Sequence, residues 1–166
     1  MAHRIGRLIV ALVVGPIVAL AHAGASSTSV SSEPAALVDR GRYLVKIAGC
    51  NDCHTPRYAE TGGAVPEAEW LTGAAVGWRG PWGTTYPINL RLHMSALSEQ
   101  QWLVDARAVR SRPPMPWFAL RDMSDRDLRA IYRFVRALGA RGEPAPPYLP
   151  PDRVPPMPFV QFPPPK

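Results

Sequence analysis

The chain has 166 residues, 46% of them hydrophobic and 19% charged, with a formal net charge of +6. That length fits one domain and leaves little room for two. The small positive charge, carried almost wholly by arginine, identifies no partner, and the 2 cysteines allow at most one two-thiol site.

The first 23 residues read as an export signal. His3, Arg4 and Arg7 form a basic start. Leu8 to Leu20 is an apolar run interrupted only by Gly15 and Pro16, and Ala21-His22-Ala23 supplies a small-residue cleavage site. The run is short for a spanning helix, which needs about 20 apolar residues, so cleavage after Ala23 is expected and no stable membrane span should remain. Losing Arg4 and Arg7 lowers the formal charge from +6 to +4. Nucleic acid is not an expected partner of an exported chain. Residues 24–33 are small and polar and read as a flexible leader.

A helix is predicted over Ala35–Ala48. Leu37, Gly41, Leu44 and Ala48 fall on one face at spacings of three and four, and Pro34 suits the first turn. Gly49 then loosens the chain before Cys50-Asn51-Asp52-Cys53-His54. Thr55–Pro87 is rich in Gly and Pro, lacks periodicity and carries Trp70, Trp78, Trp82 and Tyr86. A loop this long in a compact domain is usually functional or disordered.

A second helix is predicted over Ser98–Arg110, with Ser98 and Gln101 placed as a capping box. The clearest helix is Met123–Leu138. Ser124 is its N-cap, Asp125 and Asp127 suit the positive end of the helix dipole, and Leu128, Ile131, Tyr132, Val135 and Leu138 make one apolar face. Arg126, Arg129, Arg133 and Arg136 form a stripe opposite, expected to be a solvated face rather than a docking surface. Residues 143–166 are dominated by proline and read as an extended tail, neither helix nor central strand. It either wraps around the domain or lies against another subunit.

The five residues from Cys50 to His54 carry the chemistry. C-x-x-C-H is the attachment sequence for c-type haem: two thiols form thioethers with the two vinyl groups, and the histidine that follows reaches the iron as proximal ligand. The competing readings are weaker. A thioredoxin-like dithiol sits where a strand meets a helix, whereas a helix precedes Cys50. A zinc site needs four ligands at other spacings, and a simple disulfide leaves His54 unexplained. For the second axial position the candidates are His93, Met94, Met115, Met123 and Met157. Met115 is preferred because Arg112-Pro113-Pro114-Met115-Pro116-Trp117 holds the sulfur in a stiff loop. His93 and Met94, adjacent in a short polar connection, are the rivals; Met123 reads as a packing residue and Met157 lies in the tail.

The order of helix, C-x-x-C-H-T, Gly-rich loop, middle helix, P-x-M-P and S-D-x-D-L helix resembles a bacterial class I c-type cytochrome, of the kind found as monohaem carriers and as cytochrome subunits of periplasmic dehydrogenases. The resemblance covers about Leu37 to Leu138. It implies an all-α domain over residues 34–142, with one haem c held by Cys50 and Cys53 and ligated by His54 and Met115. It also implies that Gly41 and Tyr43-Leu44 cross the last helix, that the Pro81 carbonyl orients His54, and that Tyr86 and Asn89 lie near the propionates. The stretch Asn89–Leu97 is short compared with similar chains, which keeps Met94 in contention.

The implied function is one-electron transfer in the periplasm between unidentified redox partner proteins, without catalysis by the chain itself. The alternatives are an electron-transfer subunit of a larger dehydrogenase complex, or a five-coordinate haem catalyst or gas sensor.

Overall fold

The structure, a computed structural model, describes residues 32–163. The expected signal 1–23, its cleavage point and most of the leader 24–33 lie outside the described residues, as do 164–166. Six helices are described: α1 (Glu33–Ile47), α2 (Cys50–His54), α3 (Leu90–Ser95), α4 (Glu99–Ala108), α5 (Trp117–Asp122) and α6 (Asp125–Leu138). A 3₁₀ turn spans Glu67–Glu69, and three short strands are β1 (Gly77–Gly80), β2 (Gly83–Thr85) and β3 (Phe159–Gln161). No helix among the described residues is long and apolar enough to cross a membrane.

The frame is the crossing of α1 and α6. The apolar face of α6 puts Leu128, Ile131, Phe134 and Val135 into the core, each contributing about 1.5–3 kcal/mol through burial. Gly41 makes the close approach possible: a Cβ there would overlap the Ala130 carbonyl and come within 2.7 Å of Phe134 Cβ. Caps hold the helix starts as the sequence predicts. Ser98 Oγ accepts from Gln101 N while Gln101 Oε1 accepts from Ser98 N, and Ser124 Oγ accepts from Asp127 N. Trp102 on α4 donates its indole N–H to the Leu128 carbonyl at 2.8 Å, and Tyr132 on α6 donates to the Leu97 carbonyl at 2.7 Å.

The fold is not all-α, which corrects the sequence expectation. A three-stranded sheet in the order β2-β1-β3 stands beside the helices. β1 and β2 form an antiparallel hairpin with Gly80 opposite Gly83, so Pro81 and Trp82 make the two-residue turn. A proline at the second position of a tight turn is pre-set for that geometry. β3 comes from the proline-rich tail and pairs parallel to β1, with Gly77 opposite Phe159. It is an edge strand, the place where neighbouring prolines are tolerated. Strands of three and four residues are too short to show alternation, which is why the sequence reads as loop there.

The arginine stripe also differs from expectation. Arg129 and Arg133 both bind Glu99 at the start of α4, and Arg136 donates to the Met94 and Ser95 carbonyls. Three of the four stripe residues therefore tie α6 to neighbouring elements.

Candidate functional site

Gly49 sits at φ +71°, a left-handed conformation that glycine enters without steric cost. It turns the chain out of α1 and into α2. Within that single helical turn Cys50 and Cys53 are three residues apart and His54 four residues from Cys50, so the three side chains share one side. Thr55 locks the exit of α2. Its hydroxyl donates to Asn51 Oδ1 at 2.7 Å and accepts from Leu71 N at 2.8 Å.

A cavity of about 440 Å³ opens against this turn. Cys50, Cys53 and His54 line it together with Val45 and Ala48 of α1. Ile131 and Val135 of α6 and Trp102 of α4 add apolar wall, and Trp78, Thr85 and Tyr86 come from the hairpin side. The loop between α4 and α5 contributes Arg112, Pro114, Met115 and Pro116, and α3 contributes Leu90, His93 and Met94. A mostly apolar cleft with a few convergent polar groups is the usual form of a cofactor site.

His54 is buried and its Nδ1 lies 2.8 Å from the Ile88 carbonyl. A carbonyl only accepts, so Nδ1 carries the proton and the lone pair is left on Nε2. Burial pushes the His54 pKa below its ordinary value, outweighing the Ile88 hydrogen bond that raises it, and the charge of His93 lowers it further. The ring is thus a neutral imidazole with one nitrogen oriented and the other available to a metal.

The expected orienting group was the Pro81 carbonyl. That expectation fails: Pro81 is spent in the turn between β1 and β2, and Ile88 does the orienting. Asn89, the next residue, fixes this carbonyl. Its side chain accepts from Leu92 N at 3.0 Å, starting α3, and donates to the Arg141 and Glu143 carbonyls at 2.8 and 3.2 Å. Asn89 therefore serves the backbone and is absent from the cavity lining, whereas Tyr86 is part of it.

Cys50 and Cys53 are not joined in a disulfide. Burial pushes the Cys50 thiol up to about 11. Burial and the charge of Asp52 raise Cys53 as well. Thiol oxidoreductases depend on the opposite, a stabilised thiolate. Among the described residues no three His, Cys, Asp or Glu side chains gather as a metal-binding group.

Two thioethers stand in the cavity wall. Met115 is presented by the proline-framed loop, and Met94, only 1% exposed, by α3. His93 also lines the cavity, but its Nε2 lies 2.8 Å from Asp105 Oδ2 and is already engaged. Met123 packs against the core and Met157 is 76% exposed, so neither belongs to the site. Of the loop aromatics, Trp70 packs against Tyr58 and Phe134, while Trp78 faces the cavity.

α3 and the Ile88–Asn89 pair escaped the sequence reading. A six-residue helix has too few turns for a periodic signal, and its trace is the Asn89 cap three residues before Leu92. No family model, no curated protein and no solved structure matches this chain.

Proposed function

We propose that this chain carries one haem c in the cavity and transfers single electrons. The observation that carries the reading is the convergence of four donors on one apolar cleft: the Cys50 and Cys53 thiols, His54 with Nε2 left free by the Ile88 hydrogen bond, and the Met115 thioether. This donor set fits the group. Two thiols on one helical turn suit two thioether links, and a neutral imidazole with a thioether suits axial ligation. Bound there, the haem iron supplies reversible one-electron chemistry between its ferric and ferrous states.

The chain's own residues do the rest. Cys50 and Cys53 would hold the group covalently. The Nδ1–H contact with Ile88 sets the direction of His54 and raises its basicity as a ligand. Ile131, Val135, Trp102 and Leu90 exclude water from the cleft and lower the local dielectric, which tunes potential. With His54 and Met115 both holding the group, no position would be left for a substrate, so the chain would act as a carrier rather than an enzyme. The expected location is the periplasm, on the strength of the export signal, with redox proteins as partners. A diffusing carrier is preferred to a fixed dehydrogenase subunit because the tail from Tyr148 to Phe162 is packed on the chain's own hairpin.

The test is the absorption spectrum of exported, matured protein, oxidised and reduced, repeated after denaturation. Haem colour that stays with the denatured chain supports attachment. The weak red band of ferric iron bound by methionine sulfur should be present, and Met115→Leu should abolish it. Covalent haem without that band would move the axial role away from methionine, and no haem after proper export and maturation would overturn the reading.

A further inference from the structure

Proline-rich chain has few N–H groups with which to hold itself, yet residues 148–162 grip both outer edges of the β1–β2 hairpin. On the β2 side, Leu149 exchanges both main-chain hydrogen bonds with Thr84, at 2.7 and 3.0 Å. On the β1 side, β3 adds in parallel, and Phe162 N donates to the Arg79 carbonyl at 2.8 Å. Phe162 also packs on Trp78 and Trp82, with ring centroids 5.9 and 5.3 Å away. Tyr148 is fixed within this grip by its hydroxyl, which donates to the Trp82 carbonyl at 2.9 Å.

From that anchored position the Tyr148 ring meets the Arg112 guanidinium, 4.0 Å from its centroid. Beside Thr84, the Thr85 hydroxyl donates to the Pro113 carbonyl at 2.9 Å. Arg112 and Pro113 lead directly into Pro114-Met115. The far end of the same loop is held separately: Trp117 N donates to the Met115 carbonyl at 2.9 Å, and Arg110 and Arg121 flank the Trp117 ring at 4.5 and 5.5 Å. Three of the four residues from Pro113 to Pro116 are prolines without an N–H, so the loop depends on such outside contacts for its position.

We propose that the C-terminal tail is a clasp that positions Met115: Tyr148, anchored on the hairpin, holds Arg112 and so keeps the Met115 thioether against the cavity. Tyr148 is a positioning residue and does not line the cavity. This rests on the reading of Met115 as axial ligand. A neutral thioether is easily displaced, so its effective hold on iron depends on how seldom the loop swings away.

The experiment compares matured wild type with Tyr148→Leu, and with Arg112→Gln as the partner variant, in two measurements. The first titrates imidazole against the red methionine–iron band. Each variant should lose the band at about three- to tenfold lower imidazole, the size expected for a lost cation–π contact. The double variant should be no worse than the poorer single one, since the two side chains form one contact. The second measures trypsin cleavage at Arg110–Ser111, which should speed up by a similar factor; the Arg112–Pro113 bond is resistant in either case. Tyr132→Phe, which loses a hydrogen bond on α6, is the control: it should lower thermal stability and leave both readings unchanged.

Unchanged imidazole titration and unchanged cleavage in Tyr148→Leu would overturn the clasp, as would additive losses in the double variant. If wild type carries covalent haem but no methionine band, the axial reading fails alone, and the cleavage rates still decide whether the tail holds the loop. If Tyr148→Leu does not accumulate, Arg112→Gln gives both readings by itself.

Discussion

The imidazole of His54 donates from Nδ1 to the Ile88 main-chain carbonyl at 2.8 Å, although Ile88 is 46% exposed. The contact is independent of side chain 88, so on the proposed haem reading Ile88→Ala, which trims one residue of the cavity wall, should keep His54 oriented and shift the reduction potential less than loss of the Asn89 side chain does. Pro81→Ala should leave the potential unchanged, because that residue makes the hairpin turn and does not line the cavity. Asn89→Ala should differ. It removes a helix cap worth about 1 kcal/mol and unties the Arg141 and Glu143 carbonyls from the start of α3. The Ile88 carbonyl should then drift, His54 should become a weaker base, and the potential of the proposed haem should rise. Protein-film voltammetry of the three variants checks this.

The Gly41–Ala130 approach gives a second expectation. A methyl at residue 41 has no space against the Ala130 carbonyl and Phe134. Gly41→Ala should push α1 away from α6 and cost about 1–3 kcal/mol, the usual range for overpacking. Thermal unfolding followed by far-UV circular dichroism reads the loss directly. An unchanged midpoint would mean that the crossing tolerates a wider separation.

Met94 should behave as packing. It is 1% exposed within α3, and a volume-conserving Met94→Leu should cost less than about 1.5 kcal/mol while, on the proposed haem reading, keeping the red methionine band that Met115→Leu should lose. The paired absorption spectra assign the sulfur. Loss of the band in Met94→Leu alone would move the ligand to α3.

Glu99 links α4 to α6 through Arg129 and Arg133, at 2.5 and 2.9 Å. Burial pushes its carboxyl up, but the hydrogen bonds from Arg133 and Arg129 outweigh it and hold the carboxyl below its ordinary value of 4.5. A carboxylate depressed by folding stabilises fully above its unfolded pKa and loses that contribution as pH falls through the folded value. Glu99→Gln should therefore cost about 0.5–1 kcal/mol at neutral pH, allowing for solvent screening. The gap from wild type should close below pH 4.5. Urea unfolding across the acid range measures both.

How much of this was legible in the sequence depends on element length. α6 shows four turns of apolar periodicity and α4 announces its capping box, so both stand where the sequence predicts. The cysteine spacing carried Cys50, Cys53 and His54 to one cavity wall, and the proline-framed Met115 lines the same cavity. The hairpin, α3 and α5 are each six residues or shorter per segment, below the length at which a period is visible. The Pro81 misreading has a similar cause. Pro81 stands in a Gly-rich turn, and only the three-dimensional path shows that the carbonyl meeting His54 is that of Ile88.

The parallel pairing of Gly77 with Phe159, like the packing of α1 on α6, joins segments some 80 residues or more apart along the chain. Long-range closures of this kind come late in assembly. A chain that emerges amino end first displays Cys50 and Cys53 before Ile131, Val135 and Met115, which help wall the cavity around them, have been released. The thiols are most accessible during that interval. For any group that must be bonded to both of them, the order of emergence sets the time available.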